Sequence, residues 1–355
     1  MKLLKYCLLG LLAAGLLATH SDAQVSGHMD WQKLPGRCAA CHTGHGMPGT
    51  AMLPLAEEDF CFQCHGDFSE LQLAVRERRV MPNVRVKNMR NVFRKAYRHP
   101  VELKTSRLHR DTLETNAVFS FSQAECLDCH RGHGVTKVNT PAGSASRRST
   151  KNERQLEFQL CYQCHARIIP STMGNQDIRS WFETVNPSYH PVEAPGKNGD
   201  VPSLKEPYTA ASVINCTDCH NNDDPDGPRG PHGSNFEFIL EKNYNTRDSL
   251  PESPQQYDLC YKCHDRQSIL QNESFPYHSR HIVDGATSCF TCHHSHGSRR
   301  NTHLIRFSEE VDPFVVRPSS SGRLEFIDTG RYSGECFLSC HGVDHNPKRY
   351  RNRRQ

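Results

Sequence analysis

The sequence predicts a fold of loops and short α-helices with little β-structure, built as four tandem repeats around something other than an apolar side-chain core. Three observations carry this. Only 36% of the 355 residues are hydrophobic, which is low for a chain of this length. The phrase Cys-x-x-Cys-His returns seven times, and once more with a residue inserted, and these eight copies use sixteen of the 17 cysteines. Further histidines recur between the copies in a fixed order, and such order marks a repeat architecture.

The copies are Cys38-Ala39-Ala40-Cys41-His42, then Cys61, Cys64 and His65, then Cys126, Cys129 and His130, then Cys161, Cys164 and His165. They continue with Cys216, Cys219 and His220, with Cys260, Cys263 and His264, and with Cys289, Cys292 and His293. The eighth, Cys336-Phe337-Leu338-Ser339-Cys340-His341, carries the extra residue. C-x-x-C-H reads as covalent attachment of c-type haem. Both thiols add to the haem vinyl groups, and the adjacent histidine reaches the iron as proximal ligand. Zinc sites also use Cys and His, but their second half is another Cys pair or a spaced His pair. A disulfide scaffold leaves the invariable histidine unexplained, and eight redox C-x-x-C sites in one chain are implausible. Eight haem c groups are therefore expected, and they, rather than side chains, form the core. The same coupling that turns metal binding into folding energy leaves the apoprotein largely unfolded.

The chain begins with Lys2 and Lys5, an apolar run from Leu8 to Ala18, and Ser21-Asp22-Ala23. That order reads as a secretory signal peptide over 1–23; the run is shorter than the ~20 residues a spanning helix needs. Cys7 goes with it. Export to the periplasm, the outer membrane or the outside follows, with no transmembrane segment in the mature chain. Removing residues 1–23 changes the formal charge from +4 to +3. Eight oxidised bis-His haems, each about −1 with both propionates ionised, bring the holoprotein to about −5. The basic residues thus pair with propionates, a role suited to Arg forks, and nucleic acid is not an expected partner.

Repeat one spans 24–85, with His28 upstream and His45-Gly46 behind the first motif. Repeat two, 86–180, has His99-Pro100-Val101 and His133-Gly134. Repeat three, 181–275, has His190-Pro191-Val192 and His232-Gly233, with an insertion from Asn221 that reads as a surface loop. Repeat four, 276–355, has His281-Ile282-Val283 and His296-Gly297. Eight motif histidines supply eight proximal ligands, and these eight further ones match the number of distal ligands needed. His28, His45, His99, His133, His190, His232, His281 and His296 are therefore assigned as distal. His281 is chosen over His278 because His-Ile-Val matches His-Pro-Val. A histidine three residues past its motif cannot easily swing to the far face of its own haem, so it serves a neighbour. His109, His294, His303 and His345 are left over, most of them expected to be structural.

Between motifs, 69–79 and 84–97 are charged and read as helices, the second stopped by Pro100. Residues 156–169 read as a short helix around the fourth motif. Residues 136–154 and 193–209 read as exposed loops. His303–Phe307 and Arg323–Ile327 alternate enough for a small hairpin beside the last haem. The basic tail from Lys348 to Arg354 reads as a disordered end.

C-x-x-C-H-x-x-H-G followed by a second C-x-x-C-H, most compact in Cys38–His45 with Cys61–His65, resembles the doubled CXXCH domain of multihaem cytochromes c. The segments Cys289–His296, Asn301–Phe307 and Cys340–His345 also resemble cytochromes of bacteria that respire on extracellular acceptors. The resemblance covers essentially the whole mature chain. It implies low-spin bis-His haems in a stacked and T-shaped chain, carrying electrons to other redox proteins such as cytochromes or a porin–cytochrome conduit. With two protein ligands per iron no site is open to substrate, which argues against an enzyme. A multihaem reductase with one open haem is the alternative, although no motif here lacks its histidine. A homopolymeric filament, with His28 or His345 ligating in trans, is the structural alternative.

Overall fold

The computed structural model describes residues 27–48, 50, 52–101, 124–130, 132–133, 154–166, 177–307 and 316–352. The leader, His109 and all but the last residue of the loop read over 136–154 lie outside them; Arg154 begins a helix. Among the described residues, no helix is long and apolar enough to cross a membrane.

Helices are short and mostly coincide with motifs. α1 (Glu57–His65) holds the second motif and begins with Glu57, Glu58 and Asp59, acids that favour a helix N-terminus. α2 (Phe68–Arg76) starts from a capping box in which the Asp67 backbone N–H donates to Glu70 Oε2 at 2.6 Å. α3 (Cys126–Cys129), α4 (Arg154–His165), α5 (Arg179–Phe182), α6 (Asp258–Tyr261), α7 (Arg266–Leu270) and α8 (Cys289–Cys292) follow. The expected helices over 69–79 and 156–169 thus appear near their predicted bounds. The one expected over 84–97 does not: that stretch holds only a 3₁₀ turn, Val92–Arg94. Its end instead extends into β1 (Tyr97–Arg98).

Two-residue ladders tie distant segments together. β1 pairs with β3 (Gly233–Ser234), and β2 (Ser188–Tyr189) pairs with β4 (Gly297–Ser298). The chain ends in a four-stranded antiparallel sheet of β5 (Val316–Arg317), β6 (Glu325–Gly330), β7 (Ser333–Cys340) and β8 (Val343–Arg351). Two sequence expectations are corrected here. The hairpin joins 325–330 to 333–340, while Ile305 forms only a bridge with His293. The basic tail is ordered: Lys348, Arg349 and Arg351 lie in β8, and the Asn352 amide donates to the carbonyls of Asn272 and Glu273 at 2.7 and 2.9 Å.

Apolar side-chain cores are small and sit beside motifs. Phe62, Phe93 and Val101 pack with Met89 and Cys126. Phe307, Val316, Phe326 and Leu338 pack with Cys336 and Cys340.

The ladders explain the glycine after a spacer histidine. A Cβ on Gly233 would run into the Val92 carbonyl, and one on Gly297 into the Trp181 carbonyl. Gly297→Ala is therefore expected to destabilise the holoprotein by about 1–3 kcal/mol, the usual cost of overpacking. Gly199→Ala, with nothing within 4 Å, should be near neutral. Thermal unfolding of both variants checks this, and equal midpoints would contradict it.

Candidate functional site

In seven copies the cysteines lie on one helical turn. The motif histidine N–H donates to the first cysteine's carbonyl, as in His42 to Cys38 at 2.8 Å, His220 to Cys216 at 2.8 Å and His264 to Cys260 at 3.0 Å. Cysteines three apart then share a face, with the histidine directly behind. A bound haem needs that arrangement: two thiols on one edge and an imidazole above it.

The histidines meet in pairs across a gap. An iron held between two imidazoles, with metal–nitrogen bonds of about 2.0–2.1 Å, sets the ring centroids about 6–6.5 Å apart. His42 faces His133 at 5.7 Å, His65 faces His28 at 5.8 Å, and His130 faces His232 at 5.8 Å. His165 faces His99 at 6.3 Å, His220 faces His296 at 6.1 Å, and His264 faces His190 at 6.5 Å. His293 faces His278, not His281, at 6.5 Å. His281 faces His345 at 6.4 Å. His45 is exposed, with no histidine ring found against it among the described residues. His341 is half-exposed, its Nε2 3.7 Å from Asp248 Oδ2. Of the leftover histidines, His294 stacks on Trp181 at 4.2 Å and His303 meets Asp328 at 3.1 Å.

The pairing follows a rule. The His-Gly histidines His133, His232 and His296 face the first motif of the preceding repeat. The upstream histidines His28, His99 and His190 face the second motif of their own. These two sets are fastened to each other. The Nδ1 of His28 donates to the Gly132 carbonyl at 2.8 Å, that of His99 to Pro231 at 2.6 Å, and that of His190 to Ser295. Each acceptor immediately precedes a His-Gly histidine. The backbones are joined as well: His99 N donates to the His232 carbonyl, and His190 N to that of His296.

A carbonyl only accepts, so these rings carry the proton on Nδ1 and present Nε2 as the free lone pair. Nδ1 of His42, His220 and His293 likewise donates to the carbonyls of Met52, Phe238 and His303. Such outer-sphere bonds orient metal-binding imidazoles. Nδ1 of His232, His278 and His296 is buried and lacks a partner among the described residues. Burial pushes His65, His264 and His293 down to about 4, and His232 and His278 to about 3. The rings are therefore neutral, the form that ligates metals.

The thiols run in chain order. Cys41 lies near Cys61, and Cys61 near Cys126. Cys129 lies near Cys161, and Cys161 near Cys216. Cys219 adjoins Cys263, Cys260 adjoins Cys289, and Cys292 adjoins Cys336 and Cys340. Burial raises Cys219, Cys260 and Cys292 to about 12. Among the described residues, no group of three or more His, Cys, Asp or Glu is arranged to hold a metal ion.

Two glutamates that sequence reasoning missed link successive copies. Glu57, four residues before Cys61, accepts from the backbone N–H of Leu127. Glu157, four before Cys161, accepts from Thr217 N at 2.7 Å and its hydroxyl at 3.0 Å. The shared offset from the motif was their only signal. Burial pushes the Glu57 carboxyl up to about 7, despite its hydrogen bond from Leu127. A group that binds its proton more tightly when folded stabilises fully below its unfolded value, about 4.3, and this contribution is lost as pH rises to about 7. Glu57→Gln should therefore flatten the decline in unfolding midpoint between about pH 4.3 and 7. An unchanged slope across a thermal-unfolding pH series would contradict it.

Two family models match the chain. The outer membrane cytochrome MtrC/MtrF-like family, domains II/IV, matches residues 122–304, more than half of the chain. The doubled CXXCH motif family matches residues 34–70. No curated protein and no solved structure matches. The matched regions hold the motif turns and most of the facing histidines, and the chain belongs to the outer membrane cytochrome MtrC/MtrF-like family of multihaem cytochromes c, with covalently bound haem c.

Proposed function

We propose that the chain is an octahaem electron carrier in which four dihaem repeats, 24–85, 86–180, 181–275 and 276–355, line up eight bis-His haems in sequence order. The observation that carries this is the set of eight histidine pairs with centroids 5.7 to 6.5 Å apart. Bound haem supplies one-electron redox chemistry; the chain supplies position and environment.

His42, His65, His130, His165, His220, His264 and His293 are the proximal ligands of the first seven sites. His133, His28, His232, His99, His296, His190 and His278 are their distal ligands. With haem bound, each facing pair of neutral imidazoles would hold the iron from both sides and leave a small-molecule substrate no place to bind. Nδ1 donation to carbonyls keeps the rings of His28, His42, His99, His190, His220 and His293 at their angles and raises their basicity. Because His28, His99 and His190 are bonded to the segment holding the next repeat's spacer histidine, neighbouring sites move as one body. Rigid spacing keeps the reorganisation that accompanies a charge change small.

The chain-order proximity of the thiols supports a linear row, from the Cys38 end, which is exposed, to the C-terminal sheet. Electrons enter and leave at these ends, through other redox proteins at the outer membrane or outside the cell. Membership of an outer membrane cytochrome family supports that setting, and the leader-like residues 1–23 supply the export route.

His232→Met tests the assignment. Met/His ligation raises haem potential, so a potentiometric titration of the holoprotein should show one centre moved upward and the rest in place. A titration identical to that of wild type would remove His232 from the ligand set.

A further inference from the structure

We propose that the eighth iron is held between His281 and His345, and that His341, although it abuts Cys340, is not its ligand. This rests on the multihaem reading above.

The eighth copy is built unlike the others. Its cysteines lie on a strand, β7, rather than on a helical turn. Side chains alternate along a strand, so residues four apart share a face while residues three apart do not. The inserted residue is thus what a strand requires to aim both thiols one way. Cys336, Leu338 and Cys340 indeed pack on one cluster. The residue after Cys340 falls outside that face. His341 and Gly342 form the two-residue turn to β8, with φ of 48° and 77°, the double positive φ of a type I′ hairpin. There His341 points to Asp248.

His345 occupies the complementary place. It sits directly opposite Leu338 on β8, and opposed residues of an antiparallel pair share a face. Its ring therefore lies on the face of both thiols, between their positions along the strand. His281 comes to it from the other side. His281 Nδ1 donates to the Tyr277 carbonyl at 2.8 Å, leaving Nε2 free as at the other sites. The centroid gap of 6.4 Å falls within the span of the other seven pairs. The segment carrying His281 is fixed to β8 by the Asn352 amide and by Phe275 against Tyr350 at 4.7 Å. The repeat pattern agrees, since an upstream histidine serves the second motif of its own repeat and His281-Ile282-Val283 is repeat four's copy of that phrase. With His345 included, every iron has two ligands from one chain and His45 is spare, so no ligand in trans is required.

The test uses full-length holoprotein: wild type, His345→Met, His281→Met and His341→Ala. Digestion and mass spectrometry establish whether the peptide with Cys336 and Cys340 carries haem. Low-temperature EPR and potentiometry follow the iron. The expected result is haem on the wild-type peptide, with His345→Met and His281→Met each raising the potential of the same single haem. His341→Ala should keep all haems low-spin at wild-type potentials. A high-spin iron or a lost haem in His341→Ala overturns the proposal, as does a wild-type titration in His345→Met. Should the His345 variant fail to fold, the His281 and His341 variants decide alone. A bare Cys336–Cys340 peptide with haem on the other seven overturns this inference only, whereas bare peptides throughout overturn the multihaem reading itself.

Discussion

Imidazoles held in facing pairs a fixed distance apart, with Nδ1 of His28, His42, His99, His190, His220, His281 and His293 bonded to a backbone carbonyl, are the constraint on which the rest of this structure depends. The gaps of 5.7 to 6.5 Å match the spacing that an iron between two imidazoles would set. Keeping such a gap demands rigid backbone at both sides. This explains why residues so poor in apolar side chains still adopt defined turns. It also explains the small clusters around Phe62 and Phe326: each supports a motif rather than forming a central core.

The interlock makes the row cooperative in a mechanical sense. His28, His99 and His190 each face one site while bonding to the segment that serves another. Glu57 and Glu157 add a second tie between successive copies. Losing one link therefore loosens two sites, which is costly for folding and useful for electron transfer, where fixed spacing between centres matters more than strong binding of any partner.

Much of this was legible in the residues. Sixteen cysteines in eight motifs announced covalent haem, and the family matches agree. The recurrence of His-Gly and His-Pro-Val singled out most of the histidines that the structure brings face to face. Which histidine meets which was not legible, because linear spacing does not reveal which repeats adjoin. His281 was matched to the upstream phrase and faces His345, but the phrase alone could not show that His278 stands opposite His293. The ordered tail was hidden by its charge: Lys348, Arg349 and Arg351 look solvated in sequence, yet strand pairing with β7 holds them. The stretch 84–97 carried helix-forming charge but was claimed by the ladder to Gly233. The eighth copy's extra residue looked like a minor irregularity and instead marks a change from helical turn to strand.

The measurement that bears most directly on the paired-imidazole account is low-temperature EPR of the purified, oxidised holoprotein, taken with its haem content. The account predicts low-spin signals alone, with about eight haems per chain, the number the motifs supply. A substantial high-spin signal would contradict it, since it would place an iron in this chain without its second histidine.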